Sequence, residues 1–273
     1  MPLEKSKEKN APTNDCNAAG IDIGSTLTKI SITDRVGSPS YQFISSEHVG
    51  NLRKILKNIP TERIGLTGAG AYPLKDTFPR SLHLDEFRAW NHGSRKIAES
   101  AVKTVTYPFL LSVVGTGTSL LRLDSDSFCR AGGTALGGGT LLGLGKALTG
   151  ISEFTKLVAL ASKGSRERID LQVRDIYGER GVSEVGLTKS VTASNLAKLV
   201  SRDNLSIEDR AIGLIGLIGE NIALIASHLA RSEGLKRILY AGSTLTNNEP
   251  LTQVLVQVTK ALGMTAELLE NGE

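Results

Sequence analysis

A chain of 273 residues, 40% hydrophobic and 22% charged, can bury one large core or two smaller ones and has the composition of a soluble globular protein. The formal net charge of +4 raises nucleic acid as a partner, but lysines and arginines are mixed with acids throughout. No basic stripe emerges, so no nucleic acid is expected and an anionic small substrate is the milder implication. Cys16 and Cys129 provide neither a disulfide framework nor metal-ligand spacing, which argues for a reduced, cytoplasmic chain.

In chain order, residues 1–19 are polar and charged without an apolar stretch, and they are expected to form a disordered tail that is not a secretory signal. A strand over 20–24 runs into a Gly24-Ser25-Thr26 turn and out into a strand over 27–33, followed by a strand at 40–45 and a helix through Leu52, Ile55, Leu56 and Ile59. Ile64 to Thr67 is a short strand, Gly68-Ala69-Gly70 a break, Ser81 to Asp85 a further strand, and Phe87 to Val102 a helix. A second series then starts with a buried strand, Phe109 to Val114, a Gly115-Thr116-Gly117 turn, and strands at Ser119 to Leu123 and Phe128 to Ala131. Beyond Gly139 the pattern is mainly helical: Thr140 to Leu148, Ser152 to Ser162, Ala193 to Val200, and Ile207 to Arg231 with Ser206 as N-cap. A strand over Lys236 to Ala241 ends at Gly242-Ser243-Thr244, and a helix (Glu249 to Leu262) and a strand (Thr265 to Leu269) complete the series. The apolar stretch Ala211 to Ala230 is broken by Glu220, Asn221 and His228, so no membrane span is expected. The repeated order resembles the βββαβα halves of the actin, sugar-kinase and Hsp70 ATPase class. It implies an α/β, actin-like (ribonuclease H-like) fold with an ATP cleft between duplicated halves, here a smaller one at 20–90 and a larger one at 91–273.

A β-branched strand entering a Gly/Ser/Thr turn offers backbone N–H groups and hydroxyls with no bulky side chain in the way of a phosphate oxygen. Gly24, Ser25 and Thr26 would bond the β- and γ-phosphates and Lys29 would neutralise them, while Asp22, at the strand end, would face phosphate-bound Mg²⁺ or simply cap the turn. No Walker A spacing occurs. The run from Gly132 to Thr140 either lays backbone amides and a helix N-terminus against a nucleotide or is a flexible hinge. Asp85 and Glu86, adjacent acids at a helix start, are rival acceptors for a hydroxyl proton, and either could merely stabilise the helix end. Arg130 could grip an anionic or carbonyl group or be a solvated strand-end arginine. The four histidines have no metal spacing, and Trp90 is a core or rim residue. Gly213, Gly216 and Gly219 along an apolar helix suit either a dimer contact or close core packing.

The combination of GIDIGSTLTKI, HLDEF, VVGTGTS, RAGGTALGGGTLLGLGKALTG, IDLQVRDIY and YAGSTLTNN resembles the type II pantothenate kinases from about Gly20 to Gly272. The resemblance implies transfer of the ATP γ-phosphoryl group, with Mg²⁺, to the 4′-hydroxyl of pantothenate. It implies a first ATP loop of Ile23, Gly24, Ser25, Thr26, Leu27, Thr28, Lys29 and Ile30, and a second around Thr116 and Gly117. Gly138, Gly139, Thr140, Leu141 and Leu142 are expected at the nucleotide, with Phe154 and Ser243 nearer the adenosine; relatives can carry tyrosine where Phe154 stands. It points to Glu86 as the catalytic base and Arg130 as the pantothenate contact. It also leads to the expectation of a homodimer with coenzyme A or an acyl thioester as a feedback ligand. Relatives continue past the Glu-Asn-Gly segment with a Gly/Ala-rich helix, which is expected to be absent from a chain whose sequence stops at Glu273. The rival readings are a kinase of a sugar or amino sugar, and a catalytically weak acyl-CoA-binding regulator.

Overall fold

The computed structural model describes residues 16–34, 37–56, 59, 63–100, 106–184, 188–202, 204–269 and 272. The chain divides into two compact units, Met1–Gly93 and Ser94–Glu273. The first holds β1 (Cys16–Ile23), β2 (Leu27–Asp34), β3 (Pro39–Ser45), α1 (Leu52–Ile55), β4 (Ile64–Thr67), β5 (Leu82–His83) and most of α2 (Glu86–Ser100). Its sheet has the order β3-β2-β1-β4-β5, antiparallel from β3 to β1 and parallel from β1 to β5. One face is apolar because the side-chain period of a strand is two: Ile21, Ile23, Ile30, Ile32, Ile64 and Leu66 all turn inward onto Leu52, Leu56 and Phe78.

The second unit repeats this plan. β6 (Phe109–Val114), β7 (Thr118–Leu123) and β8 (Phe128–Thr134) form an antiparallel meander, and after a helical segment β11 (Arg237–Ala241) and β12 (Thr265–Leu268) join in parallel, giving β12-β11-β6-β7-β8. The order is that of the first sheet read from the other edge, so the duplication expected from the hydrophobic runs is present in the topology. All six residues of β6 are buried, as a central strand covered on both faces requires. Between the two groups of strands lie α3 (Gly138–Thr149), α4 (Phe154–Ala161), α5 (Arg166–Ile169), β9 (Leu171–Gln172), α6 (Val173–Glu184), β10 (Thr192–Ser194) and α7 (Ile207–Ser232); α8 (Glu249–Ala261) links β11 to β12. Ser206 caps α7, its hydroxyl accepting from the Asp209 N–H at 3.1 Å. By length and composition α7 could cross a membrane, yet Leu214, Ile215, Ile218 and Ile222 are buried in the core of this unit, where the helix packs on α3, α4 and α8.

Three expectations are corrected. β1 starts at Cys16 and not at Gly20, because Cys16, Ala18 and Ala19 pair with Asp34, Thr33 and Ile32 and Ala19 is buried; of the expected tail, residues 1–15 lie outside the described residues. The helix expected over Ala193 to Val200 is instead β10 and a single 3₁₀ turn, with Leu196 at φ +60° between them and Thr192 paired with Gln172. The helix expected through Leu52 to Ile59 is the short α1, preceded by a 3₁₀ stretch over Ser46–Asn51, although Leu52, Leu56 and Ile59 are all buried.

Candidate active site

In the first unit the alternation that buries Ile21 and Ile23 puts Asp22 on the opposite face of β1, directly across the ladder from Lys29 on β2. The Lys29 Nζ donates to Asp22 Oδ2 at 2.8 Å, and both side chains are partly exposed. Asp22 also presses on the chain after β4. Gly68 has φ +88°, and a Cβ there would lie 2.5 Å from Asp22 Oδ1, so both the backbone conformation and the space demand glycine. The β1–β2 turn is closed by the Gly24 N–H donating to the Leu27 carbonyl at 3.2 Å. It is also held from the end of β3: the Ser46 hydroxyl donates to the Gly24 carbonyl at 2.7 Å and lies 3.1 Å from Thr28 Oγ1, and the Ser46 N–H donates to the Thr26 carbonyl at 3.0 Å. Ser25 and Thr26 are exposed and Leu27 is half-buried, whereas the side chains of Ile23, Thr28 and Ile30 are buried. Those last three can therefore offer a ligand backbone groups only.

Asp85 and Glu86 have separate tasks. Asp85 Oδ1 accepts from the Arg88 N–H at 2.9 Å, the bond an N-cap makes to the third helical residue, and its other oxygen pairs with the Arg88 guanidinium at 3.2 Å. Glu86, the first residue of α2, is one turn before Trp90, whose indole N–H bonds its carboxylate. The Trp90 ring sits 5.7 Å from Lys29 Nζ. Partial loss of water around the Glu86 carboxyl, and after it the negative charge of Asp22, push its pKa above the usual carboxylate range; the Lys29 ammonium and the Trp90 bond act against them. Asp22, Lys29, Glu86 and Trp90 thus form one electrostatic cluster. Among the described residues no group of three or more His, Cys, Asp or Glu could hold a metal. One or two carboxylates are nonetheless what Mg²⁺ takes from a protein when it arrives on phosphates, so Asp22 fits a nucleotide-borne ion and not a dedicated cage.

The second unit brings together three glycine-containing turns that are distant in sequence. The Gly138 N–H donates to the Gly115 carbonyl at 2.8 Å, the Gly139 N–H to the Thr116 carbonyl at 2.9 Å, and the Thr244 hydroxyl to the Gly115 carbonyl at 2.8 Å. A Cβ on Gly137 would stand 2.7 Å from the carbonyl oxygens of both Gly115 and Thr116, and one on Gly138 would stand 2.6 Å from the Thr244 hydroxyl. This qualifies the expectation for the glycine run: the amides of Gly138 and Gly139 are engaged by the Gly115–Gly117 turn, because the start of α3 needs that close approach. Thr140 donates its hydroxyl to the Ala135 carbonyl at 3.0 Å, Leu141 is buried, Leu142 is half-buried, and Phe154 is half-buried against the core. Ser243, half-buried, opens a 3₁₀ turn after Gly242, which has φ +110°.

Arg130 is exposed on β8 beside a bulge: Leu121 pairs with Arg130 but Leu120 with Gly132, leaving Ala131 as the extra residue. A Cβ on Gly133 would come within 2.9 Å of Arg130 Nη2, so the bulge and the glycine together let the guanidinium lie along the strand.

The IDLQVRDIY segment has a structural task that its sequence conceals. Asp170, fully buried, takes the Arg166 Nε at 2.7 Å and the Leu196 N–H at 2.8 Å, and Arg166 also pairs with Glu220 at 2.8 Å and reaches the Thr192 hydroxyl at 2.9 Å. Burial pushes the Asp170 carboxyl upward, against the Leu196 N–H and the Arg166 charge. Asp175 pairs with the buried Lys198 at 2.6 Å. Gly216 leaves the space Arg166 occupies, Gly213 faces Ile169 and Leu196, and Gly219 faces Leu251 and Val254. Packing within this unit therefore accounts for the glycine spacing on α7.

The family profile described as Fumble matches residues 82–262. A type II pantothenate kinase of Bacillus anthracis is 34% identical over 93% of this chain and 92% of its own length, and one of Oceanobacillus iheyensis is 34% identical over 93% and 94%. Among solved structures, component A of (R)-2-hydroxyglutaryl-CoA dehydratase from Acidaminococcus fermentans superposes with a TM-score of 0.58 at 17% identity, covering 93% of this chain and 92% of that one. A ROK family glucokinase from Streptomyces griseus, in complex with glucose and AMPPNP, gives 0.55 at 12% identity, covering 92% and 93%. At these identities the two structures establish the shared actin-like fold alone.

Proposed function

The chain belongs to the type II pantothenate kinase family, and from that premise we propose how its residues divide the work of moving the ATP γ-phosphoryl group to the 4′-hydroxyl of pantothenate. The observation that carries the assignment is the cluster of Asp22, Lys29 and Glu86, with the neighbouring acid Asp85 already committed to capping α2. Phosphoryl transfer leaves little covalent chemistry to the protein, so positioning and charge are what its residues supply. The Gly24–Leu27 turn, with the Ser25 and Thr26 hydroxyls, receives phosphate oxygens, and Lys29 offsets their charge. Asp22 would hold Mg²⁺ arriving with ATP, which would offset further phosphate charge. Glu86 accepts the proton of the acceptor hydroxyl as the new O–P bond forms and ADP departs; partial burial and the Asp22 charge make it a stronger base than an ordinary carboxylate. Arg130 holds the pantothenate side, where its planar fork matches a carboxylate. Thr116, Gly117, Gly138 to Leu142, Phe154 and Ser243 frame the nucleotide.

The same reading takes the enzyme as a cytoplasmic homodimer, supported by the exposed apolar side chains Ile207, Leu224 and Ile225 on α7. Coenzyme A and its thioesters contain the pantothenate unit, which supports them as feedback ligands of the acceptor site. The deciding experiment incubates the protein with Mg-ATP and a panel of pantothenate, glucose and amino sugars and identifies products by mass. Phosphopantothenate is the expected product. A phosphorylated sugar instead would replace the acceptor, and acyl-CoA binding without turnover would favour a regulatory role. Glu86→Gln should lower kcat by about 10²–10⁴-fold while Mg-ATP still binds.

A further inference from the structure

The hydroxyl of Thr67 has no hydrogen-bond partner among the described residues, although its oxygen is buried. Leaving such a group unsatisfied costs free energy, and a valine would fill the same strand position without that cost. Its place in the sheet is specific. Thr67 is the last residue of β4 and the parallel register partner of Asp22; one residue earlier, Leu66 partners Ile21, and both are in the core. Thr67 and Asp22 therefore share the opposite face of the sheet. The residue after Thr67 is Gly68, whose left-handed backbone makes room for Asp22 Oδ1, while Asp22 Oδ2 is held by Lys29 at 2.8 Å. On one face of the sheet, then, a carboxylate held by Lys29 is the register neighbour of a threonine whose hydroxyl has no partner among the described residues.

We propose that Thr67 is a positioning residue for Asp22. The proposal rests on the kinase reading above, in which Lys29 and Asp22 are needed separately, the first at phosphate oxygens and the second toward the cation those oxygens carry. When Lys29 turns to the nucleotide, Asp22 loses the donor that orients it. The Thr67 hydroxyl then donates to the Asp22 carboxylate and keeps it directed at the incoming charge. The hydroxyl has no partner while Lys29 orients the carboxylate through Oδ2, and it gains one when the carboxylate turns with the nucleotide.

The test compares wild type with Thr67→Val, which is isosteric and lacks the hydroxyl, with Thr67→Ser, which keeps it, and with Thr67→Ala should valine prevent folding. Thermal unfolding without ligand and titration with the non-hydrolysable nucleotide AMPPNP, with Mg²⁺ and in EDTA, are the readouts; none requires turnover or pantothenate. Thr67→Val is expected to unfold at the wild-type temperature or above it. It should bind Mg-AMPPNP about tenfold more weakly, the order of one lost hydrogen bond, bind AMPPNP in EDTA as wild type does, and be restored to within about twofold by serine. Equal loss with and without Mg²⁺, wild-type affinity in the valine variant, or a fall in ligand-free stability with no change in binding would each overturn the role. A wild type that bound no nucleotide would overturn the kinase reading itself, and is thereby distinguishable from failure of this inference alone.

Discussion

Glu86 and Asp85 are chemically equivalent acids one bond of chain apart, and only the helix that begins between them gives them different work. Asp85 is spent on the Arg88 N–H, while Glu86 stands among Asp22, Lys29 and Trp90. The balance of those neighbours can be measured. The Trp90 indole N–H favours the ionised form, so Trp90→Phe should raise the Glu86 pKa further and move the acid limb of kcat/KM to higher pH; an unmoved limb would assign that limb to another group. A carboxyl whose folded-state pKa is raised stabilises the fold when protonated. That stabilisation is present below the ordinary carboxylate range and is lost as pH rises through the raised value. Glu86→Gln keeps the neutral form at every pH, so the variant should melt above wild type at neutral pH and the difference should shrink in acid. Lost turnover together with gained stability is the signature of a group held for chemistry. In the sequence alone Asp22, Lys29 and the exposed Ser25 and Thr26 stood out through the turn that carries them. Ser46, Thr67 and Gly68 did not, because what ties them to the site is a ladder register and a long-range hydrogen bond, neither of which leaves a local pattern.

At the scale of elements, the glycine turns are better understood as joints than as open cradles. Gly137 fits between two carbonyl oxygens, and a methyl group 2.7 Å from both has nowhere to move because its neighbours are backbone. Gly137→Ala should destabilise the second unit by about 1–3 kcal/mol, the range for overpacking, and weaken nucleotide binding with it; calorimetry beside a nucleotide titration checks both. The turn at Gly24 is secured differently, by Ser46 at the end of β3. Ser46→Ala removes a donor from the half-exposed Gly24 carbonyl, at a cost of about 1 kcal/mol. A several-fold rise in the KM for ATP with kcat nearly unchanged is the expected outcome. The strands and the long helices were legible because their hydrophobic periods are unbroken. The stretch from Arg166 to Val200 was not: Arg166, Asp170 and Lys198 have the appearance of surface residues and are instead paired, with Asp170 and Lys198 buried and Arg166 partly so.

For the molecule as a whole, two sheets of one topology each have a core of their own, and the second also depends on a buried ionic junction. Asp170→Ala would leave the partly buried Arg166 with half its countercharge and the Leu196 N–H without its acceptor. The loss should be about 3–5 kcal/mol, a large part of the roughly 5–15 kcal/mol that holds a domain folded. Hydrogen exchange should then accelerate across α5, β9, β10 and α7, while β1 to β4 keep their protection; uniform acceleration would mean that the two units unfold together.

The matching sheets also differ in when they can be finished. β1 meets its parallel neighbour β4 within a short stretch of chain, Ala19 beside Ile64, whereas β6 must wait for β11, Leu110 beside Ile238. On the ribosome the first sheet can close while most of the protein is still unmade. The meander of the second has an uncovered edge on β6 through the synthesis of the entire helical segment, including apolar α7. Long-range parallel pairing is slow and leaves such edges open to other chains. The newborn enzyme is therefore most exposed to misassembly in the interval before β11 emerges, and that interval is set by the helical insertion within the second repeat, between β8 and β11.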